Sequence, residues 1–140
     1  MEFSKSLKYT VLAPIVAVLF SACSTVEVHR VGTMLAARPL GAPNEKLTPK
    51  TQFTASDVIH YAVTFTWDDL TKPAGYHLVN VNWYKDGHLA STKTGQVFFG
   101  HAPFTFHDSQ RALALGGGDF QVKVKVDSVE VAKDDFVIRW

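Results

Sequence analysis

Apolar and polar residues alternate with a period of two along much of residues 51–140. Between residues 58 and 67, every odd-numbered position is apolar, namely Ile59, Tyr61, Val63, Phe65 and Trp67. Similar alternation runs through residues 77–84 and 120–126. Because successive side chains on a β-strand point to opposite faces, this pattern predicts half-buried strands. No window of helical length carries an apolar stripe at helical spacing, and only residues 109–115 are expected to form a helical turn.

Turn signals separate these predicted strands. Asp86-Gly87 favours a two-residue type I′ hairpin, which needs positive φ at both central residues. Asp127-Ser128 is expected to turn the chain again. Val129 and Val131 occupy odd positions, whereas Phe136, Ile138 and Trp140 occupy even positions, which predicts a β-bulge or an irregular kink in residues 132–135. About seven short strands with such turns are typical of an all-β sandwich.

Two segments carry a resemblance to a known family. Trp83-Tyr84-Lys85-Asp86-Gly87 resembles strand C and the following turn of immunoglobulin domains, and Gly118-Asp119-Phe120-Gln121-Val122 resembles their approach to strand F. The resemblance implies an immunoglobulin-like β-sandwich of about seven strands, with Trp83 as its core tryptophan. Phe120 and Val122 stand where the family often has tyrosine and cysteine. The resemblance therefore implies a sandwich with neither the tyrosine-corner hydroxyl nor the disulfide between the sheets.

The amino terminus has the pattern of an export signal. Lys5 and Lys8 precede an apolar run over residues 11–20, which is too short to span a bilayer and is typical of a secretory leader. Leu19-Phe20-Ser21-Ala22-Cys23 resembles a bacterial lipobox. That resemblance implies cleavage before Cys23, acylation of Cys23, and anchoring by two or more acyl chains. Because Ser24 stands where aspartate would favour inner-membrane retention, the resemblance implies an outer-membrane location.

Aromatic composition changes sharply after residue 50. Residues 24–50 contain no Phe, Trp or Tyr, whereas residues 51–140 contain every aromatic residue beyond the leader. Prolines at positions 39, 43 and 49 favour an extended linker there. We therefore predict a signal peptide over residues 1–22, a lipidated tether over 23–50, and one β-sandwich domain over 51–140. A short edge strand around residues 26–31 is an equally good interpretation of part of the tether.

Charge and cysteine content exclude several classes of protein. The chain has 14 Lys and Arg against 13 Asp and Glu, so it carries no basic footprint for nucleic acid. Its single cysteine excludes an internal disulfide, although an exported protein would meet an oxidising compartment. The position of Cys23 directly after the leader favours lipid attachment over a reactive thiol.

No catalytic or metal-binding constellation is visible in the sequence. The six histidines lack the ligand spacings of zinc sites, and we expect them at the surface or at strand edges. The chain has no G-x-S-x-G motif, and its pairs of adjacent aspartates would point to opposite faces of a strand. We therefore predict that the protein is not an enzyme and needs no cofactor or metal.

Two features favour a binding surface. If Phe98, Phe104 and Phe106 share one strand parity and enter the core, then Phe99 is left exposed beside His101. The second feature is the outward face of strands C and F. Its residues are polar and mildly basic, namely Asn80, Asn82, Tyr84, Gln121, Lys123 and Lys125. From both features, the candidate binding residues are Phe99, His101, Tyr84, Asn82 and Lys123.

These observations predict an envelope lipoprotein that binds other molecules without catalysis. Its expected partners are membrane lipid, through acylated Cys23, and another envelope protein. The alternative is a glycan-binding or cell-wall-binding module, for which Tyr76, Tyr84 and Phe99 would supply an aromatic platform. An ordinary solvated sheet surface would have the same composition, so the sequence alone leaves the ligand open.

Overall fold

The computed structural model describes residues 26–41 and 46–140, so Cys23 and the predicted leader lie outside the described residues. The described chain is almost entirely β-structure, with a single helical turn, α1, at Ala112–Leu115. Its strands are β1 (His29–Pro39), β2 (Thr48–Pro49), β3 (Gln52–Phe53), β4 (Asp57–Thr66), β5 (Gly75–Lys85), β6 (His88–Phe99), β7 (Phe104–Arg111), β8 (Gly118–Val126) and β9 (Val129–Ile138). The all-β prediction is confirmed, and the helical turn lies where the sequence allowed one.

The strands form two sheets. Sheet 1 has the order β2-β1-β4-β7 and is antiparallel throughout. Sheet 2 has the order β3-β9-β8-β5-β6, in which only the short β3 runs parallel to its neighbour β9. Within the described residues, no helix is long and apolar enough to cross a membrane.

The core lies between the inward faces of the two sheets. Alternate residues of β4, β5 and β8 are buried there, as the period-two pattern predicts. Trp83 is completely buried, lies opposite Val122 in the strand register, and meets the ring of Phe136 edge-on with centroids 5.8 Å apart. Trp83 is thus the core tryptophan, and it packs on aliphatic and aromatic side chains instead of a disulfide.

The predicted turns and the change of strand phase are present. Asp86 and Gly87 have φ of 48° and 84°, and Asp127 also has positive φ, as type I′ geometry requires. The bulge in β9 lies slightly before the predicted range, because Val124 pairs with Ala132 while the next residue of β8 pairs with Glu130. Because of the extra residue between them, the even positions after the bulge, Phe136 and Ile138, face the core.

The predicted tether over residues 23–50 is wrong at His29–Pro39 and at Thr48–Pro49, which form strands β1 and β2. Strand β1 pairs with β4 along its whole length, from His29 opposite Thr66 to Pro39 opposite Asp57, and lies between β2 and β4. The inward residues Leu35 and Ala37 of β1 lie opposite Tyr61 and Ile59 of β4 and belong to the core. Strand β1 is therefore part of the core although it has no aromatic residue. The sandwich begins at His29 instead of residue 51.

Candidate functional site

The outward face of sheet 2 brings together several of the predicted binding residues. On β5 the outward positions are Tyr76, Leu78, Asn80, Asn82 and Tyr84. In the register, Asn82 lies opposite Lys123 of β8 and Tyr84 lies opposite Gln121. Residues directly opposite each other on antiparallel strands share a face, so Asn82, Tyr84 and Lys123 form one surface.

A ladder of polar side chains occupies the middle of this face. The Nδ2 atom of Asn80 donates to Oγ1 of Thr94 at 2.6 Å, and Nδ2 of Asn82 donates to Oδ1 of Asn80 at 2.8 Å. The hydroxyl of Thr92 donates to Oδ1 of Asn82 at 2.6 Å. Because each amide is held by its neighbours, the ladder is flat and preorganised.

The Tyr84 end of the face is concave, and both polar and apolar residues line it. The ammonium of Lys123 lies 5.2 Å from the centroid of the Tyr84 ring, and Nε2 of Gln121 donates to Oδ1 of Asp135 at 2.8 Å. These four residues line a depression of about 650 Å³ together with Gln52. A ring face surrounded by amide and carboxylate groups is suited to a ligand rich in hydroxyl groups.

The opposite end of the same face is apolar. Tyr76 is 63% exposed and Phe98 is 47% exposed, and their ring centroids lie 5.0 Å apart. Leu78 beside them is also exposed. We call Tyr76, Leu78 and Phe98 the aromatic patch.

The predicted exposure of Phe99 is wrong. Phe99 is completely buried and packs against Phe65, His77 and Phe104, with ring centroids 4.5 to 5.3 Å apart. Of the two neighbouring phenylalanines, Phe98 is the exposed one. The alternation of inward and outward side chains in β6 does not continue in step into β7, because residues 100–103 cross from sheet 2 to sheet 1.

A bulge in β6 is the physical reason for this exchange. The tight hairpin pairs Tyr84 with Leu89, but Trp83 pairs with Ser91, so Ala90 is an extra residue. Without it, Phe98 would lie opposite Gly75 on the inward face, whereas in the structure Phe99 takes that place. No residue in the sequence around Ala90 signals this bulge.

His101 is not part of the same surface. It is exposed in the crossing segment after β6, near the Gly75 end of β5. Tyr84 lies nine positions further along that strand, which corresponds to roughly 30 Å. The structure therefore groups Asn82, Tyr84 and Lys123 and separates them from His101.

His77 departs from the expectation that the histidines lie at the surface. It is only 2% exposed, with Nδ1 2.6 Å from Oδ2 of Asp127 and Nε2 3.2 Å from the carbonyl oxygen of Ala74. The other carboxylate oxygen of Asp127 accepts a hydrogen bond from the backbone N–H of Leu78. The contact holds the aromatic patch end of β5 to the β8–β9 turn. In residues 26–41 and 46–140, no cluster of three or more His, Cys, Asp or Glu is arranged to hold a metal.

Comparisons with known proteins bear on the fold alone. No protein-family model matches the chain, and no curated protein matches its sequence. Among solved structures, an immunoglobulin-like protein from Pseudomonas aeruginosa matches with a TM-score of 0.50 and 12% identity, covering 83% of this chain and 99% of that one. The fold is an immunoglobulin-like β-sandwich.

A second solved structure shares this fold within a larger protein. It is the Pseudomonas fluorescens alkylpurine DNA glycosylase AlkC bound to DNA containing an abasic site analogue, with a TM-score of 0.52 and 17% identity. The match covers 82% of this chain and 31% of the glycosylase, so this chain corresponds to less than a third of that protein. At such identities the immunoglobulin-like domain shares only its architecture with either structure.

Proposed function

We propose that this chain is a bacterial envelope lipoprotein, anchored in the outer membrane through acylated Cys23, whose immunoglobulin-like domain binds another envelope protein without catalysis. The lipobox resemblance at residues 19–23 supports the anchor, and so does the presence of a single cysteine directly after the leader. The lipid would supply location, and a rigid sheet surface would supply recognition.

The observation that carries the protein-binding proposal is the aromatic patch. Tyr76 and Phe98 form an exposed aromatic pair beside Leu78, and the polar ladder borders them on the same face. Exposed apolar patches bordered by polar side chains mark interaction sites, and aromatic residues dominate the energy of protein interfaces. Because His77 and Asp127 fix this end of β5, the patch is presented on a rigid surface.

Site-specific crosslinking in intact cells tests this proposal. A photoreactive amino acid replaces Phe98 in one strain, and Leu113 in a control strain, because Leu113 is 64% exposed but lies on α1, away from the patch. We expect one adduct of defined mass from position 98, lost when Leu78→Asp is added, and none from position 113. The adduct should also weaken in a Cys23→Ala strain. Identical patterns from both positions would contradict the proposal.

The second candidate, a glycan-binding or cell-wall-binding module, is supported by the concave Tyr84 end. Its ring, the amide of Gln121 and the carboxylate of Asp135 surround one depression. Fluorescence titration with oligosaccharides and cell-wall fragments tests this candidate. We expect saturable quenching that Tyr84→Ala abolishes and Tyr76→Ala leaves unchanged; equal loss in both variants would contradict it.

A further inference from the structure

Two arginines flank a buried valine on the outward face of sheet 1. In the register, Val58 of β4 lies opposite Arg38 of β1 on one side and Arg111 of β7 on the other. Directly opposed residues share a face, and two strand spacings place the two arginine Cα atoms about 10 Å apart. Val58 is 5% exposed but does not belong to the core cluster between the sheets, so it lies beneath this outward surface.

These residues line a depression of about 720 Å³, which we call the arginine cleft. Its polar lining includes Arg38, Arg111 and Ser109, and its apolar lining includes Leu40, Val58 and Ala114. Among residues 26–41 and 46–140, neither guanidinium has a carboxylate oxygen within 4 Å. Two arginines that line one depression, neither of them paired with a carboxylate of the described residues, are suited to an anion, since each guanidinium presents a planar fork of N–H donors.

His60 lies on the same outward face of sheet 1 as the two arginines. It lies directly opposite Ser109, and its Nε2 atom is buried without a hydrogen-bond partner. Burial lowers the pKa of His60, and the nearby positive charges of Arg38 and His107 lower it further. The lowered pKa favours the neutral imidazole, so Arg38 and Arg111 supply the positive charge on this face.

The apolar floor between the arginines narrows the class of anion. A bare inorganic anion would use the guanidiniums and leave Leu40, Val58 and Ala114 without a partner. A carboxylate attached to a small apolar group uses both parts of the cleft, because the guanidinium fork matches the two carboxylate oxygens and the floor accepts a methyl group. The carboxyl terminus of a short peptide that ends in alanine has this chemistry.

The position of the cleft relative to the anchor favours a carboxylate ligand that does not belong to the membrane lipids. Strand β1 starts at His29, six residues after Cys23, and Arg38 lies nine residues further along, or roughly 30 Å away. The lipid end and the arginine end are therefore at opposite ends of β1. This conclusion rests on the lipid anchor in the proposed function. An anchor at Cys23 would hold the cleft away from the leaflet that contains the acyl chains.

We propose that the arginine cleft binds a short peptide that ends in a free carboxylate beside a small apolar side chain, as in the alanine-containing peptides of the bacterial cell wall. Arg38 and Arg111 hold the carboxylate, Val58 contacts the terminal methyl group, and Ser109 supplies a further hydrogen bond. The proposal adds a peptide-binding site to the cell-wall candidate, on the opposite sheet from the Tyr84 depression and separate from it.

Titration of the whole chain carrying Cys23→Ala tests the cleft without any lipid. The probes are acetyl-D-alanyl-D-alanine and the same peptide with an amidated terminus, followed by NMR shifts of the Val58 methyl groups. We expect millimolar binding of the free carboxylate and at least tenfold weaker binding of the amide. Arg38→Gln and Arg111→Gln should each weaken binding at least tenfold. Arg139→Gln, which changes an exposed arginine near Asp119, should alter it less than twofold.

Three outcomes would overturn the proposal. Equal binding of the acid and the amide would exclude carboxylate recognition, and no binding of either probe would exclude the peptide. Arginine-dependent binding of inorganic phosphate or of phosphatidylglycerol vesicles that exceeds peptide binding would assign the cleft to phosphate groups. The anchor is tested separately by the mass of the Cys23 residue in cells, so failure of the lipoprotein proposal and failure of the cleft give different results.

Discussion

The indole Nε1–H of Trp83 donates a hydrogen bond to Oδ2 of Asp108 across the two sheets, with a donor–acceptor distance of 2.9 Å. Trp83 belongs to β5 of sheet 2 and Asp108 to β7 of sheet 1. The Asp108 side chain is only 8% exposed, and the ammonium of Lys93 approaches its other oxygen at 3.8 Å. Next to it, the hydroxyl of Tyr61, which is paired with Asp108 in sheet 1, donates to Oδ2 of Asp134 in sheet 2 at 2.5 Å. Each contact joins an aromatic donor of one sheet to a carboxylate of the other.

Replacing Trp83 tests the first of these contacts. Trp83→Phe keeps an aromatic ring in the core but removes the donor, which leaves the Asp108 carboxylate with one fewer partner. We expect the free energy of unfolding to fall by about 2–4 kcal/mol, from the lost hydrogen bond and the smaller ring. Urea denaturation measures it. Trp140→Phe is the matched control, because Trp140 is 67% exposed and should change stability by less than about 0.5 kcal/mol. Equal effects of the two substitutions would contradict this account.

The Tyr61–Asp134 contact predicts a loss of stability in alkaline solution. Burial, followed by the hydrogen bond to Asp134, raises the pKa of Tyr61 far above its ordinary value of 10.0. Above pH 10 the unfolded chain releases this proton while the folded chain retains it. The free energy of unfolding should therefore decrease by about 1.4 kcal/mol per pH unit from this group.

Tyr61→Phe isolates that contribution. The variant should be less stable than the native chain at pH 7, yet its stability should decline less steeply between pH 10 and 11.5 in urea denaturation. Tyr76→Phe changes an exposed tyrosine and should keep the native slope. A Tyr61→Phe slope equal to the native one would show that Tyr61 does not control this pH dependence.

The two adjacent phenylalanines of β6 should differ strongly in their contribution to stability. Phe99→Ala removes a completely buried ring in contact with Phe65, Phe104 and His77, and should cost about 3–5 kcal/mol. Phe98→Ala removes a half-exposed ring stacked on Tyr76 and should cost about 1 kcal/mol or less. Thermal and urea unfolding of both variants measure the difference, and the reverse order would mean that the β6 bulge is misplaced.

A paired cysteine substitution tests the register between the sheets. Val63 of β4 and Val122 of β8 are both buried in the core between the two sheets, and Val122 stands where the immunoglobulin family often has a cysteine. In a Cys23→Ala background, Val63→Cys with Val122→Cys should oxidise to a disulfide without loss of the fold, since bridged Cα atoms lie within about 7 Å. Val63→Cys with Lys123→Cys should retain two free thiols, because Lys123 points outward. Thiol titration after oxidation distinguishes the two pairs, and free thiols in both would reject the register.

Part of the candidate surface could be derived from the sequence. Period-two alternation alone places the even positions of β5 on one face, and Asn82 and Tyr84 lie on that face in the structure. Their grouping with Lys123 followed from the resemblance to strands C and F, which are neighbours in that family. Phe98 and Phe99 were exchanged because one extra residue in β6 reverses its faces, and a bulge leaves no periodic signal when the strand is exposed on both sides.

The sequence by itself determined the all-β class, the long strands after residue 51, and the type I′ turn at Asp86-Gly87, because alternation and turn chemistry act between neighbouring residues. Only the tertiary structure decided that β1 belongs to the sandwich, since its place in the core depends on pairing with the distant strand β4. The same is true of Arg38 and Arg111, which are far apart in the chain. They lie on either side of Val58 because both of their strands pair with β4 there. Pairing between distant strands is a property of the whole fold, and local patterns do not encode it.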